Sequence, residues 1–168
     1  YNSCFSALEV CPENIYSINN YDANITSCPG CEDDFLFCFS PENTIWLKFT
    51  TNETGGDVFV NFSNLNFNVF PNQDNEIQAV IIEAATPCNS ASYSEVSNCV
   101  SDGSTPSNLT AIGLNPNTTY YIVVNGDNNG VGITLPAECT FDLNISGPGI
   151  ERINPVINIT PSDTSVCL

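Results

Sequence analysis

The sequence contains no histidine and no methionine, and only two of its 168 residues, Lys48 and Arg152, are basic. Without histidine the chain can form neither a Ser-His-Asp triad nor a histidine-ligated metal centre, which excludes most hydrolase mechanisms. The 19 acidic residues give a formal net charge of -17. Such a charge repels phosphate groups, so nucleic acids and anionic membranes are excluded as partners.

Long apolar runs and helical patterns are also missing. No run of about 18 apolar residues is present, so the sequence predicts no insertion into a membrane. No stretch of ten residues places apolar side chains at i, i+3, i+4 and i+7, the spacing typical of an amphipathic helix. The secondary structure is therefore expected to consist of strands and turns.

Alternation of apolar and polar side chains is the dominant pattern, as in Phe141, Leu143 and Ile145. A period of two is typical of a strand with one buried face. It recurs at residues 58–62 and 65–69. Denser apolar runs, which predict inner strands, occupy residues 44–50, 77–85 and 119–125.

These strands and the turn formers between them predict an all-β fold, a two-sheet sandwich of jelly-roll type. The sandwich is expected to span residues 1–150, with residues 1–40 forming a disulfide-rich N-terminal cap. Residues 151–168 are expected to form a linker with one extra C-terminal strand at residues 156–160, between two prolines.

Nine cysteines indicate a disulfide framework, which requires an oxidising compartment outside the cytoplasm. The predicted disulfide cysteines are Cys4, Cys11, Cys28, Cys31, Cys38, Cys88, Cys99 and Cys139. The motif Cys28-Pro29-Gly30-Cys31 is similar to a redox motif, but a reactive CxxC needs a helix N-terminus to lower the thiol pKa. No helix is predicted after it, so a structural disulfide is expected.

Glu32, Asp33 and Asp34 form an acidic run. A run of this kind is usually solvated, but with the large negative charge it also makes a calcium ion a candidate ligand here. The segment from Asn125 to Gly130 resembles the first half of a calcium loop. It lacks a glutamate at the twelfth position, and a hairpin turn explains it better.

Trp46, the sole tryptophan, stands between Ile45 and Leu47 in a predicted strand. This position favours a core residue over a sugar-stacking platform. Tyr120 and Tyr121 point to opposite faces of their strand, so at most one of them is expected to be exposed. A pair of carboxylates could still serve a glycosidase, but nothing in the sequence singles out such a pair.

Several Asn-x-Ser/Thr motifs are candidates for N-glycosylation, and sugars near turns, at Asn52 or Asn117, are expected to be tolerated. The motifs begin at Asn24, Asn52, Asn61, Asn108, Asn117, Asn144 and Asn158. Asparagine is abundant, so the motifs alone say little about modification. Thr164 lies in an Asp-Thr-Ser sequence that resembles a bacterial O-glycosylation signal.

Five segments occur in an order that resembles a family of secreted β-sandwich modules. They are Cys4 with residues 7–10, residues 44–50, Cys88 to Cys99 with residues 100–103, residues 114–124, and residues 137–141. The family is that of prepeptidase C-terminal and CUB-like domains, which are repeated in large surface proteins of gliding and biofilm-forming bacteria.

The resemblance implies a non-catalytic module for adhesion, scaffolding or substrate targeting on the cell surface or in an extracellular fibre, with no catalytic residue. It also places a disulfide between Cys88 and Cys99, which bracket a polar loop. The expected partners are neighbouring copies or domains of the same surface protein. An alternative is a carbohydrate-binding accessory domain of a secreted hydrolase, which would bind glycans.

The tail is expected to reach outward. An odd number of cysteines leaves one unpaired within the chain, and Cys167, beyond the glycine-rich break at residues 146–149, is the candidate. Val156, Ile157 and Ile159 give the tail the apolar content of a strand that could pair with the sheet of a neighbour. The alternative is that the tail folds back on its own sandwich.

Overall fold

The structure, a computed structural model, describes residues 1–26 and 28–152, and describes the backbone alone at Asp102. Its regular elements are strands, together with short 3-10 turns at Cys4–Ser6 and Ser90–Ser92. The strands are β1 (Leu8–Glu9), β2 (Ile15–Asn19), β3 (Ile45–Thr50), β4 (Gly56–Phe67), β5 (Ile77–Ala84), β6 (Tyr93–Glu95), β7 (Val100–Gly103), β8 (Ser107–Leu114), β9 (Thr119–Gly126) and β10 (Cys139–Ser146). No helix among the described residues is long and apolar enough to cross a membrane.

The strands form two sheets with jelly-roll topology, which confirms the predicted fold class. One sheet has the order β2-β10-β4-β8, and the other has the order β1-β3-β9-β5-β6, with β7 pairing beside β6 on the same strand, β5. The long strands β3, β4, β5, β8, β9 and β10 alternate between the two sheets along the chain. Each connection from one sheet to the other therefore adds a strand whose inner face packs against the opposite sheet. The predicted extra strand at residues 156–160 lies outside the described residues.

The space between the sheets is filled by the alternating side chains that the sequence pattern identified. Val58, Val60 and Phe62 of β4 are buried there, together with Phe141 and Leu143 of β10. On β4 and β10 most of the intervening residues are only half buried, because no layer formed by residues 1–26 and 28–152 covers the outer face of their sheet. This sheet, β2-β10-β4-β8, is called the bare sheet below.

The other sheet is buried on both faces, because the N-terminal cap covers its outer side. A second apolar cluster lies there, separate from the core between the sheets, and includes Trp46, Val80, Ile82, Tyr121 and Val123 from the strands. The cap contributes Phe37 and Phe39, and Phe37 packs edge-on against Trp46 with ring centroids 6.1 Å apart. This explains the continuous apolar runs of β5 and β9. The sheet is called the capped sheet below.

Two long-range disulfides fix the cap. Cys4 is bonded to Cys88 and Cys38 to Cys99, across sequence separations of 84 and 61 residues. The predicted Cys88–Cys99 disulfide is therefore wrong. Cys99 precedes Val100, which pairs with Ala79, whereas Cys88 follows the opposite end of β5. The intervening residues of β5 separate the two cysteines by roughly 17 Å of strand, too far for a disulfide.

The remaining cysteines divide into bonded and free. Cys28 and Cys31 are bonded to each other, and Cys11 is also disulfide-bonded. Cys139 is a free thiol, contrary to the prediction, because it lies at the start of β10 inside the core between the sheets. Burial raises the pKa of this thiol to about 11. The three described disulfides indicate that the chain folds in an oxidising environment.

Candidate functional site

The acidic run of the cap does not form a solvated patch. Glu32 is buried, and its carboxylate accepts hydrogen bonds from the Ser3 hydroxyl at 3.1 Å and from the Thr26 hydroxyl at 3.2 Å. These contacts connect the N-terminal segment, the chain before the CxxC motif and the acidic run. Glu32 is thus a structural tie within the cap.

Asp33 is also buried, with 9% of its surface exposed. Its Oδ2 accepts a hydrogen bond from the backbone N–H of Thr26 at 2.7 Å, whereas its Oδ1 has no partner among the described residues. Burial, with a smaller contribution from the charge of Glu32, raises the pKa of this carboxyl to about 6 against the lowering effect of the Thr26 N–H. Asp33 therefore titrates close to neutral pH.

Two more polar atoms near Asp33 are buried and have no hydrogen-bond partner in the described part of the chain. They are Nε1 of Trp46 and the hydroxyl of Tyr93, on rings whose centroids lie 5.9 Å apart. The Trp46 N–H is close enough to lower the pKa of Asp33 slightly, although it lies outside hydrogen-bond geometry. Burial, with the charges of Glu32 and Asp33, raises the pKa of Tyr93. The cap thus places a carboxyl group over the aromatic cluster of the capped sheet.

Asp34 is exposed and belongs to the CxxC turn. Its Oδ2 accepts a hydrogen bond from the Gly30 N–H at 2.7 Å. A cavity of about 320 Å³ lies beside this turn, lined by Ile25, Thr26, Cys28, Pro29, Asp33 and Asp34. Two carboxylates and one half-cystine therefore share a single small cavity.

The predicted calcium ligands are neighbours in space, but their oxygens serve different partners. Glu32 holds two hydroxyl groups, Asp33 holds the Thr26 N–H and Asp34 holds the Gly30 N–H. Within residues 1–26 and 28–152, no group of three acidic, cysteine or histidine side chains is arranged for a metal ion. Calcium binding remains a prediction.

A second candidate site lies at one end of the sandwich, where the β4–β5 and β9–β10 connections run together. The backbone N–H groups of Thr134 and Leu135 donate to the carbonyl of Asn72 at 2.9 and 3.1 Å, and Gln73 pairs with Leu135. Residues 68–73 and 128–136, called the uncharged tip, contain no charged side chain. Four large apolar side chains are exposed there: Val69, Phe70, Val131 and Leu135.

Sequence reasoning missed the uncharged tip. The alternation over residues 65–69 predicts that Val69 is buried, but β4 ends at Phe67 and Val69 is 94% exposed. Both connections were recognised as turns, yet nothing in the sequence showed that they meet. The absence of charged residues from two segments of so acidic a chain, residues 68–73 and 128–136, was the available signal.

The aromatic side chains named as possible sugar platforms are buried. Trp46 has 0% of its surface exposed, which confirms its assignment to a core. Tyr120 and Tyr121 do point to opposite faces, but both are buried, because Tyr120 faces the other sheet and Tyr121 faces the cap.

The glycosylation motifs differ in accessibility. Asn24, Asn108 and Asn117 are exposed. Asn52 is not suited to carry a sugar, contrary to expectation, because its Nδ2 donates to the carbonyls of Pro148 at 2.7 Å and Glu151 at 2.9 Å. The half-buried motif residues are Asn61 and Asn144. Asn158 and Thr164 lie outside the described residues, as do Val156, Ile157, Ile159 and Cys167 of the predicted outward strand.

Comparison with known proteins gives no relative: no family model matches the chain, and no curated protein matches it either.

Proposed function

We propose that this chain is a non-catalytic structural and adhesive module of an extracellular surface protein or fibre, and that it contacts a neighbouring copy through the uncharged tip. The single observation that carries the proposal is the exposure of Val69, Phe70, Val131 and Leu135 on two joined segments, residues 68–73 and 128–136, that contain no charged side chain. Exposed apolar groups of this kind mark interaction sites on soluble proteins.

Charge supports the choice of a second copy as the partner. Two chains with a net charge of -17 repel each other over most of their surfaces. Contact is least costly where neither copy brings a charge. Four carboxylates flank the tip in the same two connections. Asp74 and Asp127 are buried and accept backbone hydrogen bonds from Asn75 and Asn128 respectively. Glu76 and Glu138 are half-buried, and Glu138 accepts a hydrogen bond from the Asn68 side chain.

The rigidity of the tip also supports a contact surface. Between the loops, Asn68 donates from its side chain to Glu138 at 2.8 Å and from its backbone to the carbonyl of the same residue. The Gln73 side chain donates to the carbonyl of Pro136 at 3.1 Å. A surface held in one conformation loses little conformational entropy on binding.

Beads coated with the full chain provide the test, because many copies on one bead amplify a weak contact between copies. We expect coated beads to aggregate, and to aggregate faster as salt screens the repulsion between the acidic surfaces. The double variant Phe70→Ser and Val131→Ser should keep the beads dispersed. The matched control is Ile112→Ser, which removes an exposed isoleucine from β8, away from the tip.

A glycan array with the same proteins separates this function from carbohydrate binding. The proposal predicts no glycan binding by the unmodified chain and loss of bead aggregation in the tip variant alone. Specific glycan binding that survives the tip substitutions, or equal aggregation of all three proteins, would overturn it.

A further inference from the structure

The Cys28–Cys31 disulfide joins two cysteines of one turn, unlike the other two described disulfides. It spans a sequence separation of 3, whereas Cys4–Cys88 and Cys38–Cys99 tie the cap to distant parts of the chain. Opening it leaves both long-range ties in place. Its chemistry can therefore change without release of the cap.

The turn itself holds the two cysteines together. Pro29 and Gly30 occupy the central positions of a type II turn, with Gly30 at a φ of +76 and the Cys31 N–H donating to the Cys28 carbonyl at 3.0 Å. Asp34 adds a hydrogen bond to the Gly30 N–H. The Cα atoms lie 5.3 Å apart, within the range of a disulfide. Because these backbone contacts do not involve sulfur, the reduced thiols stay positioned to pair again.

Only one of the two cysteines lines the cavity beside the turn. Cys28 is exposed and contributes to the wall, together with Asp33 and Asp34. Asp33 is nine-tenths buried and keeps one oxygen without a partner among the described residues. The cavity, of about 320 Å³, is large enough for a small molecule but not for a folded partner.

We propose that the Cys28–Cys31 disulfide is a thiol–disulfide exchange site, and that its acidic cavity selects small cationic thiols such as aminothiols. The incoming thiolate attacks Sγ of Cys28, a new disulfide forms between the two, and Cys31 leaves as a thiolate that takes a proton. A second equivalent of thiol attacks the mixed disulfide, releases the oxidised aminothiol and leaves Cys28 reduced. Two electrons pass from two thiols to the protein disulfide.

This reactivity does not need the helix N-terminus that a nucleophilic CxxC requires. Here the protein disulfide is the electrophile, so access to Cys28 and the charge of the attacking thiol control the rate. Asp33 and Asp34 attract an ammonium group and repel an anionic thiol at the same position. Selectivity by charge is therefore the signature of this site.

The test uses the oxidised full chain and three thiols of similar size: cysteamine, 2-mercaptoethanol and 2-mercaptoethanesulfonate. Alkylation at timed intervals and peptide mapping give the rate at each disulfide, normalised to the thiolate concentration and to a peptide that carries the same CPGC disulfide. We expect cysteamine to react at Cys28 about tenfold faster than the sulfonate at low salt, with the ratio collapsing near 1 M salt. Cys4–Cys88 and Cys38–Cys99 should remain oxidised.

Variants separate the cavity from the overall charge. Asp34→Asn keeps an oxygen for the Gly30 N–H and should reduce the ratio about threefold. Glu53→Gln removes an equal charge from an exposed residue away from the cavity and should leave the ratio unchanged. Equal rates for the three thiols, a mixed disulfide on Cys31, or reduction of Cys38–Cys99 before Cys28–Cys31 would each overturn the proposal.

Discussion

The capped sheet and the bare sheet of the same sandwich differ in what covers their outer faces. On the bare sheet several outer residues are polar and bond to each other: Asp142 accepts hydrogen bonds from Ser17 at 2.5 Å and from Asn64 at 2.7 Å. On the capped sheet the outer positions hold Trp46, Ile82 and Val123 under a layer of chain. Within the described part of the chain, the sandwich thus carries a second apolar core on the outer face of one sheet and none on the other.

The difference between the two sheets shows which part of the fold the long-range disulfides stabilise. Cys4–Cys88 and Cys38–Cys99 both belong to the capped side, where the covering segment has little regular secondary structure of its own. A loop-rich layer has few regular backbone hydrogen bonds to offset the conformational entropy that it loses on ordering. Disulfides offset this cost by restricting the unfolded chain.

The largest effect should follow removal of a disulfide on the capped side. Cys4→Ser with Cys88→Ser opens a tie across 84 residues and should lower the free energy of unfolding by about 4.5 kcal/mol in the chain-entropy model. The matched pair Cys28→Ser with Cys31→Ser should lower it by about 2 kcal/mol, because the loop is short. Urea denaturation measures both, and equal losses would contradict the assigned role of the long tie.

A substitution in the outer core should cost nearly as much. Ile82→Ala removes a fully buried side chain beneath the cap and should lower the free energy of unfolding by about 2–4 kcal/mol. Ile15→Ala, on the exposed end of β2 in the bare sheet, should change it by no more than about 0.5 kcal/mol. Denaturation curves compare the two, and similar losses would show that the outer face is not a core.

The titration of Asp33 should make the capped side sensitive to pH. The pKa of this carboxyl is about 6 in the folded chain, above the ordinary value of an aspartate, so its ionisation opposes folding. The destabilisation is absent below pH 3.8 and complete above about pH 6. Asp33→Asn should therefore raise Tm at pH 7.5 and leave it nearly unchanged at pH 3.5. A constant difference in Tm across this range would reject the assignment.

The smallest effect is expected from Asp142 on the bare sheet. Hydrogen bonds from Ser17 and Asn64 hold the pKa of this exposed carboxyl below its usual value. Its stabilising contribution is present above the ordinary pKa of an aspartate and is lost as pH falls through the lowered value. Asp142→Asn should thus lower Tm slightly at pH 7 and have no effect at strongly acidic pH. An NMR titration of the carboxyl would check the direction of the shift.

The alternation of apolar and polar residues predicted which side chains of a strand are buried. It did not predict the contacts between segments that are far apart in the sequence. Phe141, Leu143 and Ile145 were predicted to lie on the buried face of one strand, and all three are buried. Trp46 was predicted to be a core residue, but the pattern could not show that this core lies outside the sandwich. A period of two separates the faces of a strand without indicating what covers each face.

Cysteine pairing and the candidate sites could not be predicted, because both depend on contacts between segments that are far apart in the sequence. The partner of Cys88 depends on the path of the N-terminal segment across the capped sheet, not on the short loop to Cys99. The burial of Asp33 depends on Trp46 and Tyr93 beneath it, although the run of three acidic residues is visible in the sequence. The uncharged tip depends on the meeting of two loops.

Fluorescence quenching of Trp46 tests the capped core most directly, because it is the sole tryptophan of the chain. With the side chain fully buried beneath the cap, neutral acrylamide should quench the native protein only weakly, and far more strongly once disulfide reduction and denaturant release the cap. Strong quenching of the native, oxidised protein, at the level of the unfolded chain, would contradict a covered outer face and would restore Trp46 as a surface platform.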